Sequence, residues 1–158
     1  MEEKVLTLKF CIHANSLDFG DKDRELIRCA QKAQAYSYAP YSGFRVGVAL
    51  RMSNGALLGH GNLENASYSL CLCAERSALA AAAVQYPETI IESLVVSASA
   101  EHQMVSPCGA CRQVIAETET RQNHPIRVII QGDEGQWLAF ERAKDLLPFP
   151  FGPGNLLG

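Results

Sequence analysis

Two cysteine clusters constrain the fold of this chain more than any other feature of its sequence. In Cys73-Ala74-Glu75-Arg76 a thiol and a carboxylate stand two residues apart, and Pro107-Cys108-Gly109-Ala110-Cys111 follows downstream. Zinc binds thiolates in tetrahedral geometry, and a catalytic zinc typically takes three protein ligands and leaves the fourth position to water. The three ligands could be Cys73, Cys108 and Cys111. Glu75 would then lie beside the metal, where a carboxylate can carry protons between water and a substrate.

Both clusters stand where a helix is predicted to begin. An alanine-rich run over 74–84 follows the first cluster, and Pro107 is well placed ahead of a second helical run. Unpaired amides and the helix dipole favour anions such as thiolates at a helix N-terminus. Cys108 and Cys111, three residues apart, would project from one side of the first turn and could bind one ion together.

Length and charge limit the class of protein. The 158 residues, 47% of them hydrophobic, fit a single domain with one core. A net charge of −3 and the lack of any Lys/Arg run argue against nucleic-acid binding and favour a small neutral ligand. The start of the sequence is acidic and no long apolar run follows, so we expect neither a signal peptide nor a membrane span, and a cytoplasmic location. There the six cysteines are better interpreted as thiols and metal ligands than as disulfides.

The pattern of the chain predicts an α/β fold. A helix capped by Asp21 should end before Pro40, because a proline disfavours helical geometry in the residue before it. The Ser53-Asn54-Gly55 turn should join two strands as a hairpin, since Asn-Gly supplies the left-handed conformations that a tight hairpin needs. The other predicted elements are strands at 46–51, 56–62, 93–98, 126–131 and 136–140 and a last helix at 141–147. The final two strands should pair antiparallel. We therefore expect a three-layer α/β/α domain with a mixed, mostly five-stranded sheet.

The first 20 residues stand apart from this pattern. The segment 5–12 is rich enough in β-formers to be a strand, and we interpret 1–20 as an N-terminal extension, either an added edge strand or a subunit contact. A loosely held terminus is the alternative. Residues 21–158 would form the single domain.

The motifs together resemble the homotetrameric, zinc-dependent cytidine deaminases. The resemblance runs from about Tyr38 to Pro153. It is carried by Ala39-Pro40-Tyr41-Ser42 with Phe44, Asn62-Leu63-Glu64-Asn65-Ala66, Cys73-Ala74-Glu75-Arg76, Ser106-Pro107-Cys108-Gly109-Ala110-Cys111-Arg112-Gln113, Leu146-Leu147-Pro148 and Phe151-Gly152-Pro153. The zinc deaminases show a His or Cys followed by Glu, then Pro-Cys-x-x-Cys, and this chain has the all-cysteine version.

The resemblance implies one Zn²⁺ per subunit, held by Cys73, Cys108 and Cys111. It also implies that a zinc-bound hydroxide attacks C4 of cytosine while Glu75 shuttles protons, so that free cytidine and 2′-deoxycytidine become uridine and 2′-deoxyuridine with release of ammonia. This is a reaction of pyrimidine salvage. Arg76 resembles the family arginine that hydrogen-bonds ligand sulfurs and offsets their charge.

The resemblance also assigns substrate contacts. It implies that Asn62 and Glu64 hydrogen-bond the ribose and that Phe44 packs against the pyrimidine. The backbone near Ala74 and Ser106 would bind the polar edge of the base. Tyr68 and Phe151 correspond to residues that reach a neighbouring subunit's site, so that the sites would be complete only in a homotetramer.

Plainer interpretations stand beside these roles. Where the family often has Tyr-Pro-x-Gly, this chain has Tyr68-Ser69-Leu70-Cys71, and Cys71 could close a four-cysteine structural zinc site that leaves no room for water. Glu75 could be an ordinary first-turn acid, Arg76 a solvated helix residue and Phe44 a core residue. Asn62 and Glu64 could be turn and cap groups. Three histidines lack ligand spacing and are expected on the surface or in loops: His60, His102 and His124.

Other functions are compatible with parts of the pattern. The same scaffold could deaminate another cytosine compound, such as blasticidin S, or a base in a polynucleotide. The acidic charge and the final hairpin disfavour the polynucleotide, because relatives that act on nucleic acid usually place a helix between those two strands. The ribose-type segment Asn62-Leu63-Glu64-Asn65 disfavours the antibiotic. A noncatalytic, zinc-stabilised binding module is the alternative from a different class.

Overall fold

A mixed sheet with helices on both faces organises the chain. The computed structural model describes residues 1–100 and 103–156. The helices and strands within those ranges are β1 (Cys11–His13), α1 (Asp21–Ala33), β2 (Val46–Met52), β3 (Leu57–Gly61), α2 (Ala74–Gln85), β4 (Ile91–Ala98), α3 (Gly109–Arg121), β5 (Arg127–Gln131) and β6 (Trp137–Phe140). The strand order is β1-β6-β5-β4-β2-β3. Only β4 and β5 pair in parallel, and the other neighbours are antiparallel.

The period-two alternation of the central strands separates two cores. Val48, Val96 and Ile130 belong to the core that α2 and α3 cover, whereas Ala49, Val95 and Ile129 belong to the core that α1 covers. Successive strand residues point to opposite faces, so both faces of these strands are apolar and both need a helical layer. The predicted α/β/α architecture is confirmed.

The parallel pair fixes where α2 and α3 begin. Each helix leads through a short connection into one strand of the pair, α2 into β4 and α3 into β5. A helix that folds back onto the strand it precedes starts near the carboxyl end of that strand. Both helix N-termini therefore lie at the same edge of the sheet.

The N-terminal segment forms a shorter strand than the sequence predicts. Only Cys11–His13 pair with the sheet, antiparallel to β6, which makes a sixth strand beside the five expected. Just before this strand, the ring of Phe10 stacks on Phe140 with centroids 5.3 Å apart. The rest of the predicted strand is not paired in the described ranges, since most of its apolar side chains find no sheet face to pack on: Val5 is 86% exposed. The division into an extension and a domain over 21–158 stays a prediction.

Local details differ from the sequence predictions at element ends. Gly20 is the N-cap of α1, and Asp21 is its first residue rather than its cap. In the hairpin between β2 and β3, Gly55 has a left-handed φ of +88° but Asn54 does not. The Gly55 amide donates to the Met52 carbonyl at 2.8 Å. This is a tight turn followed by a left-handed glycine, which is the second commonest way to close a hairpin.

Two further predictions need correction. The expected helix at 141–147 is a single 3-10 turn, Ala143–Leu146, whose start is held by the buried Glu119 carboxylate through the Ala143 amide at 2.7 Å. His60 lies in β3 rather than in a loop, half-buried, with Nδ1 3.1 Å from the Ser77 hydroxyl of α2. His124 is exposed next to α3, and His102 lies outside the described residues. Within the described part of the chain, no helix is long and apolar enough to cross a membrane.

Gly47 lets α1 approach the sheet closely. A Cβ placed on Gly47 would lie 2.0 Å from the Ala30 carbonyl oxygen and 2.6 Å from the Gln34 amide nitrogen. Both atoms belong to backbone, so a rotamer change cannot relieve the contact. The glycine is thus required by packing between β2 and the end of α1.

We predict that Gly47→Ala destabilises the protein by about 2 kcal/mol or more, because a backbone segment must move to admit the methyl group. Urea denaturation measures the change as a lower midpoint. Gly154→Ala is the matched control, since a Cβ there meets nothing within 4 Å, and its effect should stay within about 0.5 kcal/mol. Equal midpoints for the two variants would contradict this account of Gly47.

Candidate metal centre and its surroundings

Three cysteine sulfurs meet at the shared edge where α2 and α3 begin. The Sγ atoms of Cys73, Cys108 and Cys111 all lie within 4.8 Å of one another. The Cys73–Cys108 separation is 3.9 Å and the Cys108–Cys111 separation is 3.5 Å. Zn–S bonds of about 2.3 Å in a tetrahedron place sulfurs about 3.8 Å apart. The donor set and its spacing therefore fit a zinc ion with one position left for water.

The positions of the three cysteines at the starts of α2 and α3 bring their sulfur atoms together. Cys73 is the N-cap of α2 and Cys108 the N-cap of α3, while Cys111 is buried in the first turn of α3. Neither N-cap side chain bonds a backbone amide within the described residues. Both sulfurs are thus left for a metal, near the positive ends of two helix dipoles.

The thiols perturb one another's ionisation. The hydrogen bond from Cys111 lowers the pKa of Cys73 to about 5, with Cys108 and Arg76 acting in the same direction against the effect of burial. The bond to Cys73, together with burial, raises the pKa of Cys111. The cluster therefore already holds negative charge on Cys73, which suits a site for a cation.

Glu75 lies in the first turn of α2 beside the sulfurs. Its side chain is nearly inaccessible, with 5% of the residue exposed. Burial raises the pKa of its carboxyl, and the negative charge of Cys73 adds to the effect. An ordinary first-turn acid would be exposed and ionised, so burial next to a metal-ligand cluster favours a role in moving protons.

Arg76 is half-buried and lies beside the sulfur cluster. Burial acts to lower the pKa of Arg76, but the nearby Cys73 sulfur outweighs this effect and the pKa is raised. The Nη2 of Arg76 donates to the Cys71 carbonyl at 3.0 Å. The arginine thus places a fixed positive charge against the thiols and braces the segment that leads to Cys73.

Cys71 is not part of the sulfur cluster. The Asn65 amide donates to its Sγ at 3.3 Å, and the Sγ lies 3.7 Å from the Asn65 carbonyl. Across the described ranges, the group of side chains that could hold a metal ion contains only the three cysteines above. The geometry therefore favours the open site over a closed four-cysteine one.

Asn62 and Glu64 are both bonded to the loop ahead of β2. Asn62 accepts from the Val46 amide at 2.8 Å and donates to the Phe44 carbonyl at 3.0 Å. Glu64 accepts from the Tyr41 amide at 2.8 Å and from the amide and hydroxyl of Ser42. The Ser42 hydroxyl, and then the Tyr41 amide, lower the pKa of Glu64. As the plainer interpretation anticipated, both side chains act as cap groups, and Glu64 is held as a carboxylate.

A cavity of about 330 Å³ adjoins these residues. Its lining consists of Tyr41, Ser42, Glu64, Tyr68 and Cys71. Tyr41 and Tyr68 meet edge to face with ring centroids 6.1 Å apart. The volume is at the lower end of the range for small-molecule sites, and Glu64 supplies the charged group that could fix a ligand's orientation.

The four remaining predicted site residues differ in exposure and in their contacts. Phe44 is 42% exposed and so is not a core residue, while Ala74 is fully buried at the start of α2. Phe151 is 59% exposed, and its carbonyl accepts from the Gln113 side chain at 2.7 Å, which holds the tail against α3. The Ser106 hydroxyl accepts from Arg112 at 2.6 Å.

Arg112 was given no role by the sequence analysis. Its three donor nitrogens bond the Pro107 carbonyl, the Ser106 hydroxyl and the Leu146 carbonyl at 2.8, 2.6 and 3.1 Å. It thus ties the turn that carries Cys108 to the C-terminal segment. Its place directly after Cys111 in the motif was the available signal.

Comparison with known proteins agrees with this geometry. A family model described as "Cytidine and deoxycytidylate deaminase zinc-binding region" matches residues 21–124, which include all three clustered cysteines and Glu75. The chain belongs to this family. It is therefore an enzyme of a zinc-binding deaminase family.

Named relatives support the assignment over most of the chain. A cytidine deaminase of Mycobacterium tuberculosis is 34% identical over 140 residues, which cover 86% of this chain and 95% of the relative. One of Halalkalibacterium halodurans is 46% identical over 96 residues, covering 60% of this chain and 71% of that protein. The crystal structure of a cytidine deaminase from Burkholderia pseudomallei superposes with a TM-score of 0.70 at 40% identity, covering 80% of this chain and 97% of that one.

Proposed function

We propose that the protein hydrolyses free cytidine and 2′-deoxycytidine to uridine and 2′-deoxyuridine with release of ammonia, a reaction of pyrimidine salvage. The observation that carries the proposal is a buried carboxyl, Glu75, beside three thiols spaced for an open zinc site. Membership of the deaminase family and the names of the relatives support it.

The metal would be one Zn²⁺ per subunit, held by Cys73, Cys108 and Cys111. Bound zinc lowers the pKa of water enough to make it a nucleophile near neutral pH. Three thiolates outweigh the charge of the ion by one, which opposes this effect. Arg76, whose positive charge lies near the Cys73 sulfur, would offset the excess.

Glu75 moves the protons of the reaction. Its carboxylate accepts a proton from the attacking water and passes it to N3 of the cytosine ring. The oxygen adds at C4, the C4–N bond to the amino group breaks, and a second proton carried by Glu75 lets that group leave as ammonia. Water and cytidine thus give uridine and ammonia. Burial suits the role, because a raised pKa brings the carboxyl closer to the operating pH.

Five residues, of which Glu64 lines the cavity, would bind the nucleoside. We assign Phe44 to packing against the pyrimidine, Asn62 and Glu64 to the sugar hydroxyls, and the backbone near Ala74 and Ser106 to the polar edge of the base. The existing bonds of Glu64 leave capacity, because an ionised carboxylate has about four acceptor positions. The Asn62 amide likewise keeps a second N–H beside the one given to Phe44.

The free thiols support a cellular location, and the strand pairing and net charge support a substrate class. All six cysteines are free thiols, which supports a cytoplasmic location where thiols stay reduced. The antiparallel pairing of β5 and β6 and the net charge of −3 support a free nucleoside over a polynucleotide substrate.

We further propose a homotetramer in which Tyr68 and Phe151 reach a neighbouring subunit's site. Both are exposed aromatic side chains in the single chain, at 73% and 59%, and large exposed aromatics are typical of interfaces. Light scattering of the purified protein should give four times the chain mass of 17.2 kDa. A monomeric mass would contradict the shared sites.

The activity itself is tested by ultraviolet absorbance. Purified protein should convert cytidine and 2′-deoxycytidine, and a strong chelator should stop both reactions because the metal activates the water. Blasticidin S should be left unchanged. If the protein converts only blasticidin S, the nucleoside assignment is wrong. If zinc-replete protein converts neither nucleoside nor blasticidin S, a noncatalytic binding module is favoured.

Glu75→Gln should lower kcat by about 10²- to 10⁴-fold, since the amide keeps the shape but cannot carry a proton. Metal analysis should still find one zinc per subunit in this variant. Cys111→Ala is the matched comparison, because it should lose the metal as well as the activity. A Glu75→Gln protein with wild-type turnover would overturn the proton-carrying role.

A further inference from the structure

Cys71 joins two segments that meet at the candidate site. Its thiol sulfur accepts from the Asn65 amide at 3.3 Å, next to Glu64, and its carbonyl accepts from Arg76 at 3.0 Å. One end of the residue therefore contacts the segment assigned to the sugar. The other end contacts the arginine that lies beside the sulfur cluster.

The backbone around Cys71 explains why the thiol is needed there. Leu63 and Leu72 exchange two backbone hydrogen bonds of 2.9 Å, which align the segments 62–65 and 71–73 antiparallel. The pairing cannot continue, because the 3-10 turn Tyr68–Leu70 draws the chain away and the Leu70 amide bonds Ser67 instead. The Asn65 amide thus loses its partner across the ladder, and the Cys71 sulfur accepts in its place.

The same thiol forms part of the cavity wall. Cys71 lines the 330 Å³ cavity together with Glu64, Ser42, Tyr41 and Tyr68. The Glu64 carboxylate is held from one side by Tyr41 and Ser42. The bond from Asn65 to Cys71 holds the backbone directly after it from the other side.

We propose that Cys71 is a positioning residue for the nucleoside: its thiol fixes the Asn65 amide and, through it, the Glu64 carboxylate relative to the metal-ligand segment. The role rests on the proposed function. Cys71 does not bind the metal and takes no part in the proton transfers. Its loss should therefore weaken nucleoside binding and leave the chemical step largely intact.

The test compares Cys71→Ala with Cys71→Ser. Alanine removes the acceptor, so KM for cytidine should rise about 2- to 10-fold, as the loss of one hydrogen bond predicts, while kcat changes by less than about twofold. The inhibition constant of the product uridine should rise by the same factor, which measures binding without turnover. Serine restores an acceptor, so both constants should return to within about twofold of wild type.

Zinc content and thermal midpoint are measured on every variant. Both cysteine-71 variants should keep one zinc per subunit. Cys29→Ala is the matched control, because Cys29 is a half-buried cysteine of α1 beside Gly59 on the other face of the sheet, and its KM should equal that of wild type. If Cys71→Ala does not fold, Cys71→Val fills the space without offering an acceptor and takes its place.

The outcomes separate this role from the proposed function. Wild-type protein that does not turn over cytidine overturns both. With active wild type, a Cys71→Ala protein with unchanged KM overturns the positioning role alone, as does a loss of stability with no change in KM. Loss of zinc from Cys71→Ser would identify Cys71 as a metal ligand and overturn it as well. A raised KM with full zinc, rescued by serine, supports it.

Discussion

The parallel pairing of β4 and β5 is the constraint on which the candidate site depends. Because each strand is preceded by a helix that folds back onto it, the pairing brings the first turns of α2 and α3 to one edge of the sheet. Cysteines at the two N-caps and in the first turn of α3 then converge at that edge. Neither Cys73 alone nor the pair Cys108 and Cys111 alone would supply three ligands. The topology makes them one metal site, and a ligand set on rigid elements is held more accurately than one on loops.

Charge is balanced within a few residues of that edge. Two helix dipoles and the charge of Arg76 favour negative sulfur, and the pKa of Cys73 is lowered by its neighbours, by Cys111 most and then by Cys108 and the arginine. Glu75 lies in the same turn but is buried and beside that negative sulfur, so its own pKa is displaced upward. These opposite pKa shifts in neighbouring acidic groups support the proposed roles of Cys73 in metal binding and of Glu75 in proton transfer.

The layers and the clustering of the three cysteines could be predicted from the sequence because both depend on local patterns. Short apolar runs bounded by turn residues predict strands, the alanine run predicts α2, and the Cys-x-x-Cys spacing places two cysteines on one helical turn. The sequence could not predict that β1 would be only three residues long, since this depends on how much of β6 is free to pair. Nor could it place His60 against Ser77 or bond Asn62 to Phe44 and Val46, because these contacts join segments 16 to 18 residues apart along the chain.

The hydrogen bonds of Asn62 and Glu64 are compatible with both interpretations of these residues, as turn and cap groups and as substrate ligands. A cap group and a substrate ligand need not be different residues, because an acceptor-rich carboxylate can brace a loop and keep lone pairs for a ligand. The bracing fixes Tyr41 and Ser42 before any ligand enters, which reduces the conformational entropy that ligand binding would have to remove. The proposed role of Cys71 extends this bracing to the backbone after Glu64, and the Cys71 carbonyl is itself bonded to Arg76. Substitution of Glu64 would disturb both the loop and the proposed substrate contact, so the smaller change at Cys71 distinguishes positioning from direct binding more clearly.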